Sequence, residues 1–407
     1  MATERLWNAD YCKVMAANFT LFFAFYLLTP LLPLYLSEHF HATKDVIGIV
    51  LSGYTLTALL SRPFSGYLVD TYPRKRVLLW CFFFFFIFFA GYPAATTLLL
   101  FTIVRTLHGT PFGAVTVANS TMAIDVLPSS RRNEGIGYYG LSNNLAMAVA
   151  PSVAIFIYHY THSFQLLFWL AFIIALAGFI ADSTVKKSHD QPLADDEPSS
   201  PASRQLAKKK HRLISFDRFF LKRGWLLAVN MVFFGFCFGV LSNYLAIYGK
   251  EVMGITGRTG AYFAILSAGL ILSRLQGSKA LREGKLTLNA IEGTILSTIG
   301  YLLFVACPNS IGYYGSAIFI GLGNGHMWPA FQNMIISVAR HNQRGTANST
   351  ILVSWDIGMG LGVLIGGFIS EMLGYTPAFW LVAMAQALGM LIFIAFTRPF
   401  FESRRLE

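Results

Sequence analysis

The residues of this chain with the greatest chemical potential are the few ionisable ones set inside apolar runs. Asp356 stands in Ser354-Trp355-Asp356-Ile357-Gly358-Met359-Gly360-Leu361-Gly362, about ten residues into a run that covers 345–373. An unpaired charge about 15 Å below a membrane surface costs several kcal/mol, so this carboxyl must be protonated or paired. A carboxyl that alternates between those two states carries a proton. Arg62 is its natural partner, and Arg274 repeats Arg62 in the second half of the chain. A further arginine, Arg105, opens the stretch Arg105-Thr106-Leu107-His108-Gly109-Thr110-Pro111-Phe112-Gly113. A buried arginine keeps a neighbouring acid ionised and helps a carboxylate or a bound solute exchange a proton. His108 lies three residues on, so it shares a helical face with Arg105, and His326 follows Gly325 in a later run. Both histidines are of the type that titrates near neutral pH.

The elements that hold these residues are long apolar helices. Hydrophobic residues make up 55% of the 407, charged ones only 13%, and 37 are phenylalanine, more apolar surface than a protein in water can cover. Runs of about 20 apolar residues cross the ~30 Å hydrocarbon layer as helices. Twelve are expected, among them 14–37, 46–69, 98–123 and 345–373, six before a polar stretch at 183–222 and six after it. The sequence thus predicts an all-α, multi-pass membrane protein with segments 1–182, 183–222 and 223–407, the middle one a flexible linker. Ser215–Arg223, which alternates aromatic and basic residues, is expected on the lipid surface. The net charge of +11 reflects topology and not nucleic-acid binding. Most of the Lys and Arg fall at the termini and in the loops on their side, and only Lys44, Lys250 and Arg258 fall opposite, which places both termini in the cytoplasm.

The two sets of six are related. Asn18 recurs as Asn230, Ser61-Arg62 as Ser273-Arg274, and Gly109 and Gly113 as Gly321 and Gly325, all at one offset. A repeated Ser-Arg pair inside apolar segments is informative because such segments seldom tolerate arginine. Parallel repeats of this size point to transport.

The loop after the second run reads Gly66-Tyr67-Leu68-Val69-Asp70-Thr71-Tyr72-Pro73-Arg74-Lys75-Arg76. It resembles the signature G-x-L-x-D-r-x-G-r-[RK] of the major facilitator superfamily (MFS), with Gly66, Leu68, Asp70, Arg74 and Lys75 matching and Thr71 and Pro73 departing. Proline also makes a tight turn, with φ fixed near −65°. The resemblance extends over the whole chain through helix count, linker and repeat, and is nearest the twelve-helix drug and metabolite efflux, arabinose-efflux-like, branch. Arg105 through Gly109 resembles the R-x-x-x-G motif of proton-coupled members. Ala146-x-x-x-Ala150-Pro151-x-x-Ala154 resembles the antiporter motif with each glycine replaced by alanine.

The resemblance implies two six-helix bundles that rock about a mid-membrane site. It implies that Asp70, with Gly66, Arg74 and Lys75, latches the cytosolic side by capping the helix that begins near Arg344–Thr346. The second helix would present Arg62, Gly66 and Asp70 on one face towards the eleventh, so an Arg62–Asp356 pair across the halves is expected. Arg274 would face the fifth helix, where Asn143 and Asn144 lie. Helices 1, 4, 7 and 10 would line the cavity, which makes Asn18, Tyr26, His108, Asn230, Asn243, His326, Trp328 and Gln332, together with Asn143, the substrate-site candidates. Aromatic walls with few polar groups suit an amphipathic solute.

The expected function is secondary transport of a small organic molecule, coupled to protons through Asp356, Arg105, Arg62 and Arg274, with efflux by antiport favoured. Import of a nutrient by symport is the alternative, and a membrane sensor or embedded enzyme is disfavoured. The loops leave no room for a catalytic domain, no G-x-x-x-x-G-K-[ST] loop is present, and the four cysteines lack metal-like spacing. No metal or cofactor is implied. A monomer in a cell membrane, of the bacterial inner-membrane kind, is expected, with solute, protons and lipid as its partners.

Overall fold

The computed structural model describes residues 5–29, 31–42, 44–186, 218–255 and 259–406, all helix, turn or loop, with no strand among them. Residues 187–217, the body of the expected linker, lie outside the described residues, as does Arg258.

The helices before the linker are α1 (Ala9–Leu28), α2 (Leu32–Phe40), α3 (Lys44–Thr71), α4 (Arg74–Ala94), α5 (Leu98–Val126), α6 (Arg132–Thr161) and α7 (Phe164–Ser183). Those after it are α8 (Trp225–Glu251), α9 (Thr259–Arg282), α10 (Leu286–Ala306), α11 (Ser310–Ser337), α12 (Arg344–Leu373) and α13 (Tyr375–Ile392). A π turn at Phe393–Thr397 and a short α14 (Arg398–Glu402) follow. Polar caps start several of them: the side chains of Asn8, Thr97, Ser163 and Asn309 each accept from a first-turn N–H.

One expectation changes. The first run, 14–37, does not form one helix but two, α1 ending at Leu28 and α2 beginning at Leu32. Nine helices among the described residues are long and apolar enough to cross a membrane. The helices α3, α9 and α11 are of comparable length (28, 24 and 28 residues) but less apolar, because they carry polar and charged residues.

The repeated glycines mark the closest helix approaches. A Cβ on Gly109 would lie 2.0 Å from the Tyr54 carbonyl oxygen, and one on Gly321 would lie 2.2 Å from that of Leu266. Thus α5 seats on α3 as α11 seats on α9, backbone against backbone. The pair α8 and α12 is comparably close, with glycines facing both ways. A Cβ on Gly235 would lie 2.4 Å from the Trp355 carbonyl oxygen, and one on Gly358 would lie 2.2 Å from that of Val232.

The core is not divided where the linker divides the chain. One apolar cluster runs through the helices before the linker and continues into the parts of α8, α10, α11 and α12 around Met231, Ala290, Phe331 and Ile351. A separate, smaller cluster holds the other ends of the later helices, around Tyr248, Tyr262, Phe304 and Phe379. The two sets of helices are therefore fused at one end, through α3 on α12, α5 on α12 and α6 on α9.

Candidate functional site

The fused end is the Asp70 end. Asp70, one residue from the end of α3, accepts 2.8 Å hydrogen bonds from the backbone N–H groups of Gly345 and Thr346 and from the Thr346 hydroxyl. These are the first residues of α12, so a carboxylate satisfies free N–H groups at the positive end of a helix dipole. Gly66 makes this approach possible, because a Cβ there would lie 2.9 Å from the Gly345 carbonyl oxygen. The expected contact and its partners are both present.

Arg74 does more than a loop arginine. It is buried, donates from Nη1 to both oxygens of Asp125 at 2.6 Å, and donates from Nη2 to the His341 carbonyl at 2.8 Å. Arg344, at the start of α12, reaches the same Asp125 at 3.3 Å. Asp125 and Arg344 belong to this network of contacts, and sequence reasoning missed them. The available signal was an acid closing the fourth run beside a basic loop. Lys75 is a correction to the expected latch: its ammonium donates to the Val185 carbonyl at 2.7 Å, after the end of α7, and stays among the helices before the linker. Of the segment expected on the lipid surface, residues 218–223 pack on protein instead. Phe219 meets Phe64 and Tyr67 on α3, and the Leu221 N–H donates to Thr350.

Two turns deeper on the same pair of helices, Arg62 Nη1 donates to the Asp356 carboxylate. The same nitrogen also donates to the Leu352 carbonyl at 3.2 Å. Asp356 lies about 18 Å along α12 from its start, in the middle of the span. This is the predicted pair, and it joins α3 to α12. The side chain of Arg274, its counterpart on α9, lies outside the described residues.

Arg105 and His108 share a face as expected, and both bond one phenol. The Tyr92 hydroxyl lies 3.0 Å from Arg105 Nη1 and 2.7 Å from His108 Nδ1. The guanidinium sits 3.9 Å from the centre of the Tyr54 ring, a buried cation–π contact. Phe85, Phe88 and Phe89 box the imidazole, which gives the phenylalanine-rich α4 a packing role.

Between the two sets of helices lies a cavity of about 160 Å³. Tyr26, Asn143, Asn144 and Met147 line it from before the linker, and Phe238, Asn324, Trp328 and Trp355 from after it. Of the substrate-site candidates, Tyr26, Asn143 and Trp328 are there. The others are not among its lining residues, and their bonds say why. Asn18 is tied to Ser142 and Tyr139, and Asn230 to Gly389 and Thr397, each stitching helices within its own set. His108 is enclosed as above, and His326 bonds Asn289 at 2.8 Å. Asn243 is exposed and bonds the Gly239 carbonyl one turn back, while Gln332 is buried elsewhere. Missed were Phe238, Asn324 and Trp355. Trp355 adjoins Asp356, which was a signal that could have been used.

The family model described as Major Facilitator Superfamily matches residues 14–290 and 290–406. The chain belongs to the Major Facilitator Superfamily. It is a multi-pass membrane transporter and not an enzyme. It is 24% identical over 367 residues to the staphylopine export protein of Staphylococcus aureus, covering 89% of this chain and 88% of that one. It is 23% identical to the quinolone resistance protein NorA of Staphylococcus aureus, covering 92% and 94%. Among solved structures, the MFS transporter FucP in the outward conformation superposes with a TM-score of 0.77 at 16% identity, over 99% of this chain and all of that one, which establishes the fold.

Proposed function

We propose that this MFS transporter exports a small organic solute in exchange for protons. Twelve spanning helices form two six-helix bundles, 1–182 and 223–407, joined by a cytosolic linker at 183–222, with both termini in the cytoplasm. The working unit is a monomer in a membrane of the bacterial inner-membrane type. The observation that carries the reading is the Arg62–Asp356 ion pair, which crosses between the bundles in mid-span and adjoins the cavity through Trp355. A proton on Asp356 removes the attraction and leaves Arg62 as an uncompensated buried cation, a state that favours separation of the bundles. Arg105 acts with its phenol partners as a second charged element of the cycle. The Asp70 network locks the cytosolic side while the cavity serves the outside. Export is supported by the export and resistance functions in the names of two relatives.

Everted membrane vesicles with an acid interior provide the test. Members of a panel of radiolabelled aromatic solutes should accumulate against their gradient and dissipate the pH difference as they enter. Accumulation instead in right-side-out vesicles under an inward proton gradient would overturn export and establish symport.

A further inference from the structure

We infer that the central cavity selects a small planar nitrogen heterocycle or aromatic amide, uncharged when seated, whose N–H group donates to Asn143 Oδ1. This rests on the cavity being the transport site. Size is the first constraint. About 160 Å³ is well below the ~300 Å³ at which drug-sized pockets begin, so a fused two-ring solute fits this closed form and a larger drug does not.

Shape is the second. The Trp328 and Trp355 indoles meet at 86° with centres 5.1 Å apart, and Phe238 lies 5.6 Å from Trp355. They form a corner in which a flat ring stacks on one indole and meets the edge of the other, the two arrangements aromatic rings prefer. Tyr26 adds an aromatic side chain from the opposite bundle.

Polarity is the third. Asn143 lines the cavity, and its Oδ1 is buried with no hydrogen-bond partner. A carboxamide oxygen in that state has lost water without replacement, and a turn of the amide towards the cavity lets a ligand donor restore the bond. The neighbouring Asn324 Oδ1 already accepts from the Ser297 hydroxyl at 3.0 Å, so its amide N–H groups are what it offers a solute. No described lining residue is ionised. Arg62 and Asp356 neutralise each other, and Arg105 is engaged by Tyr92 and Tyr54. A carboxylate solute entering here would give up its hydration with no cation to replace it.

Theophylline and caffeine make the test specific. Both are planar, fused-ring and neutral at pH 7, and they differ in a ring N–H that caffeine carries as N–CH₃. Binding to the full-length protein in nanodiscs is followed by quenching of tryptophan fluorescence, with Trp328→Phe locating the signal in the cavity. Theophylline should bind at least tenfold more tightly than caffeine. Asn143→Ala should weaken theophylline about tenfold and leave caffeine unchanged, and the retained caffeine affinity shows that the variant is folded. Equal binding of the two with a Trp328-dependent signal overturns the N–H selection and leaves the cavity as the site. A quench undiminished when Trp328 and Trp355 are both replaced by Phe removes the cavity assignment itself. Tighter binding of benzoate or citrate, or no binding of either purine, overturns the solute class.

Discussion

Helices α3 and α12 meet twice, and the two meetings are chemically unlike. At the latch, Asp70 caps the start of α12 through two N–H groups and a hydroxyl, and behind it Arg344 pairs with Asp125 across the two sets while Arg74, paired with Asp125 within its own set, reaches across to the His341 carbonyl. At the bridge there is one ion pair, Arg62–Asp356, and the Arg62 Nε has no partner. The latch is redundant, and removing one bond leaves the others. The bridge is single, so one proton is enough to change it. In the proposed cycle the first is a lock and the second a sensor, and this difference divides the work between them.

The largest effect expected is from Asp356→Asn. It leaves Arg62 buried without a counter-charge, a cost of about 3–5 kcal/mol, so gradient-driven accumulation in everted vesicles should fall ~100-fold or more. Accumulation that keeps its full dependence on the pH gradient would remove the bridge from the coupling mechanism. Next is the double change. Arg62→Ala and Asp356→Ala should each destabilise the protein, and together they should cost less than their sum by about 1–3 kcal/mol in thermal unfolding. Additive losses would mean that the two charges are not energetically coupled.

The latch should respond more mildly. Asp70→Asn weakens a charge-assisted cap by about 1–2 kcal/mol, which shifts an open–closed ratio by roughly 5–30-fold. Ser349, fully buried behind Gly66, reports this shift: in a Ser349→Cys background, Asp70→Asn should raise the rate of maleimide labelling at that site by such a factor. An unchanged rate would mean that Asp70 does not hold the gate. The smallest effect is expected from Lys75→Ala. Its contact with the Val185 carbonyl stays within one bundle, so it should cost about 0.3–1 kcal/mol of stability and leave Ser349→Cys labelling alone.

The same contrast explains what the sequence could reveal. Charges in apolar helices are few and their partners fewer, so Asp356 pointed to Arg62, while the placing of Asp70 at the start of α12 came from the family resemblance. Uncharged polar residues carry no such constraint. Asn18 and Asn230 occupy equivalent places and were read as cavity residues, yet each has neighbours within its own set that take both ends of its amide. Which neighbour an asparagine finds is decided by helix rotation and packing far along the chain. Trp355 and Phe238 escaped for the opposite reason: an aromatic residue in an apolar run carries no mark of facing a void. The helices and their order were legible from length and hydrophobicity. The division of the first run into α1 and α2 was not legible from length and hydrophobicity alone.

The interlocked glycines of α8 and α12 have a mechanical consequence. Each helix buries its glycines against the other's carbonyls, so neither can slide or turn on its own. The 30 residues of α12, about 45 Å long, then behave as one lever. In the proposed cycle, Trp355 is the point where a solute pushes, Asp356 the point where a proton acts, and Gly345 with Thr346 the far end that meets the lock. On that proposal load, trigger and bolt share one helix, and no chain of relays is needed between them.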